Sequence, residues 1–118
     1  YRGNKEARSI LIRDTNKSVS VAVVKSGRLT DAEVSSYAGN RNLSDEVIRE
    51  ICRNKEFTRK YPVRVALINN PKTPVSVALS FLGVLNKRDL QNLSRNRGVS
   101  SVVSNAARKR FRDKFRKT

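Results

Sequence analysis

The sequence predicts an all-α fold, a right-handed solenoid of short stacked helices. One spacing of apolar residues, ending in Asn and a cation, occurs three times, in residues 29–41, 43–55 and 85–97. A second pattern, Val-x-Val-Ala, recurs at residues 19–22, 63–66 and 75–78. Short units that reuse one apolar template are typical of stacked helical repeats, where each unit buries its face against its neighbours. An ordinary, non-repetitive helical bundle is the alternative.

The first two helices are expected on either side of a polar interruption. Residues 4–13 predict a short helix that ends in the polar segment 14–17. Val19–Val24 predicts a second helix, which breaks at Ser26-Gly27. The valine runs alternate weakly and could be strands. We favour helices because an alanine recurs at one fixed place in each motif and capping residues bracket each run.

Capping residues mark the next two helices. Thr30 and Glu33 have the Thr-x-x-Glu spacing of a capping box, which predicts a helix start. Gly39 and Asn40 both tolerate the left-handed conformation that ends helices, so we expect the helix to close there. Ser44 is expected to cap the following helix, since its hydroxyl can accept from a free backbone N–H.

The second half of the chain contains the same kinds of residues that start and cap helices. Residues 54–61 read as irregular, and Pro62 stands where a new helix can begin. Thr73 and Asn86 are expected to cap later helices. The remaining helices are placed at residues 62–69, 75–84, after Asn86, and 101–115. About eight or nine short helices result, in a single domain of residues 1–118 whose basic C-terminal segment, residues 99–118, caps the stack.

The segment Asn69–Pro74 and the apolar helix that follows it resemble bacterial helical-repeat proteins of the HEAT-like and leucine-rich-repeat-variant kind. Families of this type show an Asn-Pro-x-Thr-Pro segment that leads into an apolar helix. The resemblance covers roughly residues 16–110 and implies a solenoid. It implies no activity, because the architecture hosts scaffolds, enzyme regulators and nucleic-acid binders. A HEAT-like alkylpurine DNA glycosylase cradles duplex DNA on a basic face, but this chain is short and lacks Trp, so that activity is not expected.

Charge is the strongest indication of a partner. The chain has 26 Lys and Arg against 10 Asp and Glu, a net charge of +16. Residues 1–59 carry a net +4, whereas residues 60–118 carry +12, with only Asp89 and Asp113 as acids. A basic half attracts polyanions, which are nucleic acid first, then acidic protein or anionic membrane. Surface charge with no dedicated ligand is the alternative.

Two sets of cations are the candidate nucleic-acid-binding residues. The first set follows Asn in five Asn-cation pairs and comprises Lys17, Arg41, Lys55, Lys87 and Arg97. If the units stack in register, these cations line one rim and match a phosphate backbone, although Asn and a cation at a helix end can also serve only as caps. The second set lies on the C-terminal helix and comprises Arg108, Lys109, Arg110, Arg112 and Arg116. On that helix Ala107, Phe111 and Phe115 share one apolar face.

Residue types needed for catalysis are missing. Histidine is absent, which excludes an imidazole base and a His-ligated metal. Cys52 is the one cysteine, so neither an intrachain disulfide nor a thiolate cluster can form. The carboxylates lie mostly near helix starts, where the helix dipole explains them. We therefore expect a non-enzymatic protein with no cofactor or metal.

The expected function is non-specific binding of the nucleic-acid backbone, double-stranded DNA above all. Seven aromatic residues leave little surface for stacking on single strands. A scaffold that recognises an acidic protein partner is the alternative. The sequence has neither a transmembrane stretch nor a signal peptide, and a membrane partner is unlikely on the short apolar face of the C-terminal helix. We therefore expect a cytoplasmic chain, and its start without Met suggests an excised domain or a processed product.

Overall fold

A computed structural model describes residues 5–14, 16–25 and 29–115. These residues form nine α-helices and no β-strand, so the protein is all-α. The helices are α1 (Lys5–Leu11), α2 (Lys17–Lys25), α3 (Asp31–Ala38), α4 (Asp45–Arg53), α5 (Lys55–Thr58), α6 (Tyr61–Ile68), α7 (Val75–Phe81), α8 (Lys87–Ser94) and α9 (Ser101–Phe115). A 3-10 helix, Leu82–Val84, follows α7. The molecule measures 56 × 22 × 19 Å along its principal axes.

The helices enclose two adjoining apolar clusters. The first is formed mainly by residues of α2, α3, α4 and α6, and the second by residues of α6, α7, α8 and α9. Helix α6 joins the clusters because Leu67 belongs to the first and Ile68 to the second. Phe81 packs against both. Burial of these aliphatic side chains is the main force that holds the helices together.

Most of the expected caps are confirmed. Thr30 and Glu33 form a reciprocal capping box at the start of α3. The Ser44 hydroxyl accepts from Val47 N at 3.3 Å, and Asn86 Oδ1 accepts from Asp89 N at 2.8 Å. Each bond satisfies a backbone donor that the first turn of a helix leaves free.

Other local expectations are wrong. Helix α3 closes before Gly39 and Asn40 as expected, but Gly39 itself has φ of −88°, in the right-handed rather than the left-handed region. Residues 55–58 of the segment read as irregular form α5, because Asn54 Oδ1 accepts from Glu56 N and Phe57 N. Helix α7 stops at Phe81 and continues as the 3-10 helix. The break expected at Ser26-Gly27 lies outside the described residues.

Thr73 does not cap α7. Pro74 occupies the position before the helix, and it makes no side-chain cap. The Thr73 hydroxyl is buried without a hydrogen-bond partner in the described part of the chain. A cap requires the side-chain oxygen to face the free N–H groups, whereas Thr73 faces the interior.

Within the described ranges, no helix is both long enough and apolar enough to cross a bilayer.

Candidate nucleic-acid interface

Four turns between consecutive helices share one hydrogen bond, which Asn54 also forms with Glu56 N at 2.9 Å where it directly caps α5. In each, the side-chain oxygen of an Asp or Asn accepts from the backbone N–H two residues later, at 2.7–3.0 Å. These residues are Asp14 between α1 and α2, Asn40 between α3 and α4, Asn70 between α6 and α7, and Asn96 between α8 and α9. Asp and Asn are suited to this role because their short side chains mimic a backbone turn.

Three of these turns are hydrogen-bonded in succession. Asn70 Nδ2 donates to the carbonyl oxygens of Ala38 and Asn40, at 2.7 and 3.2 Å. Asn96 Nδ2 donates to Asn69 Oδ1 at 2.8 Å. The turns at residues 40–43, 70–73 and 96–99 therefore lie side by side, and we call them the turn edge.

The turn edge brings together two of the predicted cations. The guanidinium of Arg41 lies against Gly98, the residue after Arg97; a Cβ at Gly98 would be 2.1 Å from Arg41 Nη2. Arg41 and Arg97 are both exposed. The structure therefore brings Arg41 close to the turn that holds Arg97.

Lys55 and Lys87 do not belong to this edge. Arg41 lies in the turn that precedes α4, whereas Lys55 follows the last residue of α4. A helix of nine residues separates them by about 13 Å. Lys87 likewise begins α8, and Arg97 comes after its end. The prediction of a common rim for them is wrong because Asn54 and Asn86 cap helix starts.

Two further predicted cations are only partly described. Lys17 is the first residue of α2, but its side chain is outside the described part of the structure. Arg116 also lies beyond the described residues.

Helix α9 presents its cations on two different sides. Ala107 is fully buried, and Phe111 and Phe115 pack against the second core cluster, as the predicted apolar face requires. Arg108 and Arg112, one helical turn apart, lie beside α8. The other predicted cations, Lys109 and Arg110, line a separate groove next to Leu82. The predicted apolar face leaves the cations on the remainder of the helix, and packing of α9 divides that remainder into two sides.

The side of α9 that faces α8 forms a cleft rich in arginine. Two adjoining cavities of about 550 and 430 Å³ share Ser94, Arg95 and Arg108 in their linings. Arg97 lines the first cavity and Arg112 the second. We call the four residues Arg95, Arg97, Arg108 and Arg112 the arginine cleft. Among the described residues, no carboxylate lines either cavity.

Arg108 is held in place within this cleft. Its Nη2 donates to the Ser94 carbonyl oxygen at 3.0 Å, and its Nη1 donates to Asn105 Oδ1 at 2.7 Å. A guanidinium has five N–H donors, so Arg108 retains donors for a ligand. The two bonds also fix its direction, which lowers the entropy lost on binding.

The cations of the cleft are not neutralised by any residue that the structure describes. In the described ranges, ion pairs within 4.0 Å involve Arg8, Arg53, Arg59 and Lys60, all in the first part of the chain. The arginines of the cleft have none. Neighbouring like charges without counterions raise the local potential and attract an anion.

Arg95 is the member of the cleft that sequence reasoning missed. It precedes Asn96, whereas the search selected cations that follow Asn. Its position at the end of α8 places it one residue before the turn edge. A search for cations on both sides of each Asn would have found it.

The structure offers little for covalent chemistry. The Cys52 thiol is half-buried, and burial raises its pKa to about 11, which keeps it protonated and a poor nucleophile. Tyr61 donates to Asp89 Oδ2 at 2.5 Å and accepts from Asn86 N at 3.0 Å. Burial is the main cause of its raised pKa. Among the described residues, no three potential ligands gather to hold a metal ion.

Comparison of the chain with models of protein families, with curated proteins and with solved structures finds no match.

Proposed function

We propose that this chain is a non-enzymatic, right-handed HEAT-like solenoid that binds the phosphate backbone of duplex DNA without base preference. The observation that carries the proposal is the arginine cleft, in which four exposed arginines meet with no carboxylate in the lining. Arginine recognises phosphate well because its planar fork can donate two parallel hydrogen bonds.

The length of the cleft fits several phosphates of one strand. From Ser101 to Arg112, α9 rises about 16 Å. Each strand of DNA presents one phosphate per about 3.4 Å of helix axis but winds around that axis, so a few phosphates of one strand face this length at once. Arg41 extends the same cationic surface through its contact with Gly98.

The chemistry of the cleft favours the backbone over the bases. Phe111 is the one aromatic side chain in the described lining, and it packs against the core. Without exposed rings, bases of a single strand have no platform for stacking. Phosphate contacts then fix the position of the nucleic acid and carry little sequence information.

The solenoid part of the proposal rests on the helix pairs. The pairs α1–α2, α3–α4, α6–α7 and α8–α9 have the same turn. Helix α2 packs on α4, α3 on α6 and α7 on α9, so equivalent helices of different pairs meet. An experimental structure in which successive pairs fail to rotate in one right-handed sense would contradict it.

The binding proposal is tested by fluorescence anisotropy with a labelled duplex over a salt series. We expect log Kd to rise with log salt with a slope of about 4–5, since the slope is about 0.9 per phosphate contacted. Arg97→Glu with Arg112→Glu should lower this slope and weaken binding by at least about tenfold.

The matched control is Lys55→Glu with Lys87→Glu. It changes the net charge equally but acts away from the turn edge, so we expect a much smaller loss. If both pairs of substitutions weaken duplex binding equally, attraction by net charge rather than contact with the arginine cleft explains the binding. Absence of duplex binding at near-physiological salt rejects the function.

A further inference from the structure

The other side of α9 forms a second groove with different chemistry. Its lining comprises Leu82, Ala106, Lys109, Arg110, Asp113 and Lys114, and its volume is about 520 Å³. We call it the Leu82 groove. Arg108 and Arg112 are absent from its lining, so the two surfaces share no arginine of the cleft.

The groove combines an aliphatic floor with a cationic border. Its apolar members are Leu82, a core residue that is 6% exposed, and the half-buried Ala106, and Val84, two residues after Leu82 in the 3-10 helix, is 43% exposed. Arg110 lies over Gly83, where a Cβ would be 3.1 Å from its Nη2. This close approach is possible because residue 83 has no side chain, and it brings a guanidinium to the edge of the apolar floor.

The cations of the groove are available to a ligand. Lys109, Arg110 and Lys114 are exposed, and none forms an ion pair within 4.0 Å with any described residue. The Lys114 ammonium lies 5.4 Å from the centre of the Phe115 ring, a weak attraction that orients it without neutralising it.

Asp113 distinguishes this groove from the arginine cleft. Its exposed carboxylate lies among the cations of the lining. It repels a phosphate or a peptide carboxylate placed directly against it, but a peptide can instead offer a backbone N–H there, such as those left free in the first turn of a helix. A peptide also supplies the aliphatic side chains that Leu82 and Ala106 can cover, which a phosphate chain does not.

We propose that the Leu82 groove binds an acidic amphipathic segment of a partner protein. An aliphatic side chain of the segment packs on Leu82 and Ala106, and its carboxylates pair with Lys109, Arg110 and Lys114. This is recognition of a helix or strand by an apolar groove with a charged border. Helix α9 then serves two partners, with DNA on the side of α8 and acidic protein on the side of the 3-10 helix.

The test uses two fluorescein-labelled peptides. The first contains only glutamate and leucine, with leucines repeated at helical spacing, and the second has serine in place of each leucine. We expect the leucine peptide to bind, and the serine peptide to bind at least about tenfold more weakly. Equal binding of the two peptides would show attraction by charge alone and would overturn the proposal, as would no binding of either.

Variants assign the binding to one side of α9. Lys109→Glu with Lys114→Glu should weaken binding of the leucine peptide by at least about tenfold. Arg108→Glu with Arg112→Glu makes the same charge change on the same helix. This variant should change the affinity for the leucine peptide by less than about twofold. Equal losses from the two pairs would overturn the proposal. Circular dichroism confirms that both variants stay helical.

Duplex DNA is the last arm of the test. The peptide should remain bound when duplex is added, because the two ligands use different sides of α9. Displacement of the peptide by the duplex would overturn the proposal that the two ligands bind at separate sites. Failure of the duplex to bind would reject the DNA function and leave the peptide result unaffected.

Discussion

Arg8 on α1 donates two hydrogen bonds to Glu33 on α3, from Nε to Oε2 at 2.8 Å and from Nη2 to Oε1 at 2.6 Å. The Glu33 side chain is 2% exposed and that of Arg8 10%. Glu33 also accepts from Thr30 N at 3.3 Å, so one carboxylate completes a capping box and an ion pair. This pair fastens the first helix to the third.

Glu33→Gln is expected to destabilise the fold strongly. The variant keeps the shape of the side chain but removes the charge that faces the buried guanidinium, and loss of one partner of a buried pair costs about 3–5 kcal/mol. Urea denaturation measures the free energy of unfolding. The control is Glu56→Gln, which removes an exposed pair with Arg59 and should cost less than about 1 kcal/mol. Equal losses would contradict the role of Glu33.

Acid should weaken the protein through the same residue. Chiefly the hydrogen bond from Arg8, opposed by burial, lowers the pKa of Glu33 from 4.5 to about 2. Because the folded pKa is the lower one, its contribution is complete above pH 4.5 and is lost as pH falls towards 2. That difference corresponds to about 3 kcal/mol. The unfolding free energies of wild type and Glu33→Gln, measured from pH 6 to 2, should converge; parallel curves would contradict the prediction.

Thr73→Val is expected to leave stability unchanged or to raise it by about 1 kcal/mol. The buried Thr73 hydroxyl has no partner among the described residues, and the corresponding positions of two other turns hold Leu43 and Val99. The control is Thr58→Val, because Thr58 Oγ1 donates to the Asn54 carbonyl oxygen at 3.2 Å. Thermal unfolding should separate the two variants. A loss of stability in Thr73→Val as large as that in Thr58→Val would indicate that the Thr73 hydroxyl has a hydrogen-bond partner.

Local signals in the sequence predicted the helix starts better than the site. Thr30 and Ser44 could be identified as caps because a cap and the backbone N–H that donates to its hydroxyl lie within one turn. The prediction of a cap at Thr73 was wrong because the direction of its side chain depends on packing against the interior. The contact of Arg41 with Gly98 joins residues that are far apart in the chain, so no repeating pattern in the sequence predicts it. Asn54 and Asn96 look alike in sequence, yet Asn54 caps the helix that follows it directly, whereas Asn96 lies in a longer turn before the next helix.

Asn70→Ala is expected to cost about 2–4 kcal/mol of unfolding free energy. Asn70 is 2% exposed, and its amide supplies the bonds to the Ala38 and Asn40 carbonyl oxygens, while its oxygen accepts from Lys72 N. The variant leaves these buried groups without partners. Asn40→Ala is the matched control, because its turn bond to Asn42 N is exposed. Urea denaturation should show a clearly larger loss for Asn70; equal losses would contradict its role in joining the turns.

Gly98→Ala is expected to weaken duplex binding without destabilising the fold. The backbone at Gly98 is not left-handed, so alanine fits its conformation. The new Cβ would lie 2.1 Å from Arg41 Nη2, and the exposed guanidinium can move away at little cost. The melting temperature should therefore stay the same or rise, since replacing glycine reduces the entropy of the unfolded chain.

A double-mutant cycle with Arg41→Ala separates displacement of Arg41 from any direct effect of the methyl group. If the Gly98 substitution acts by moving Arg41, it should weaken duplex binding in the wild-type background. It should have no further effect once Arg41 is alanine, because interacting residues give non-additive changes. The affinities of the four proteins are measured by anisotropy at one salt concentration. Additive losses would show that Arg41 does not contribute from its position against Gly98, and would restrict the DNA surface to the arginine cleft.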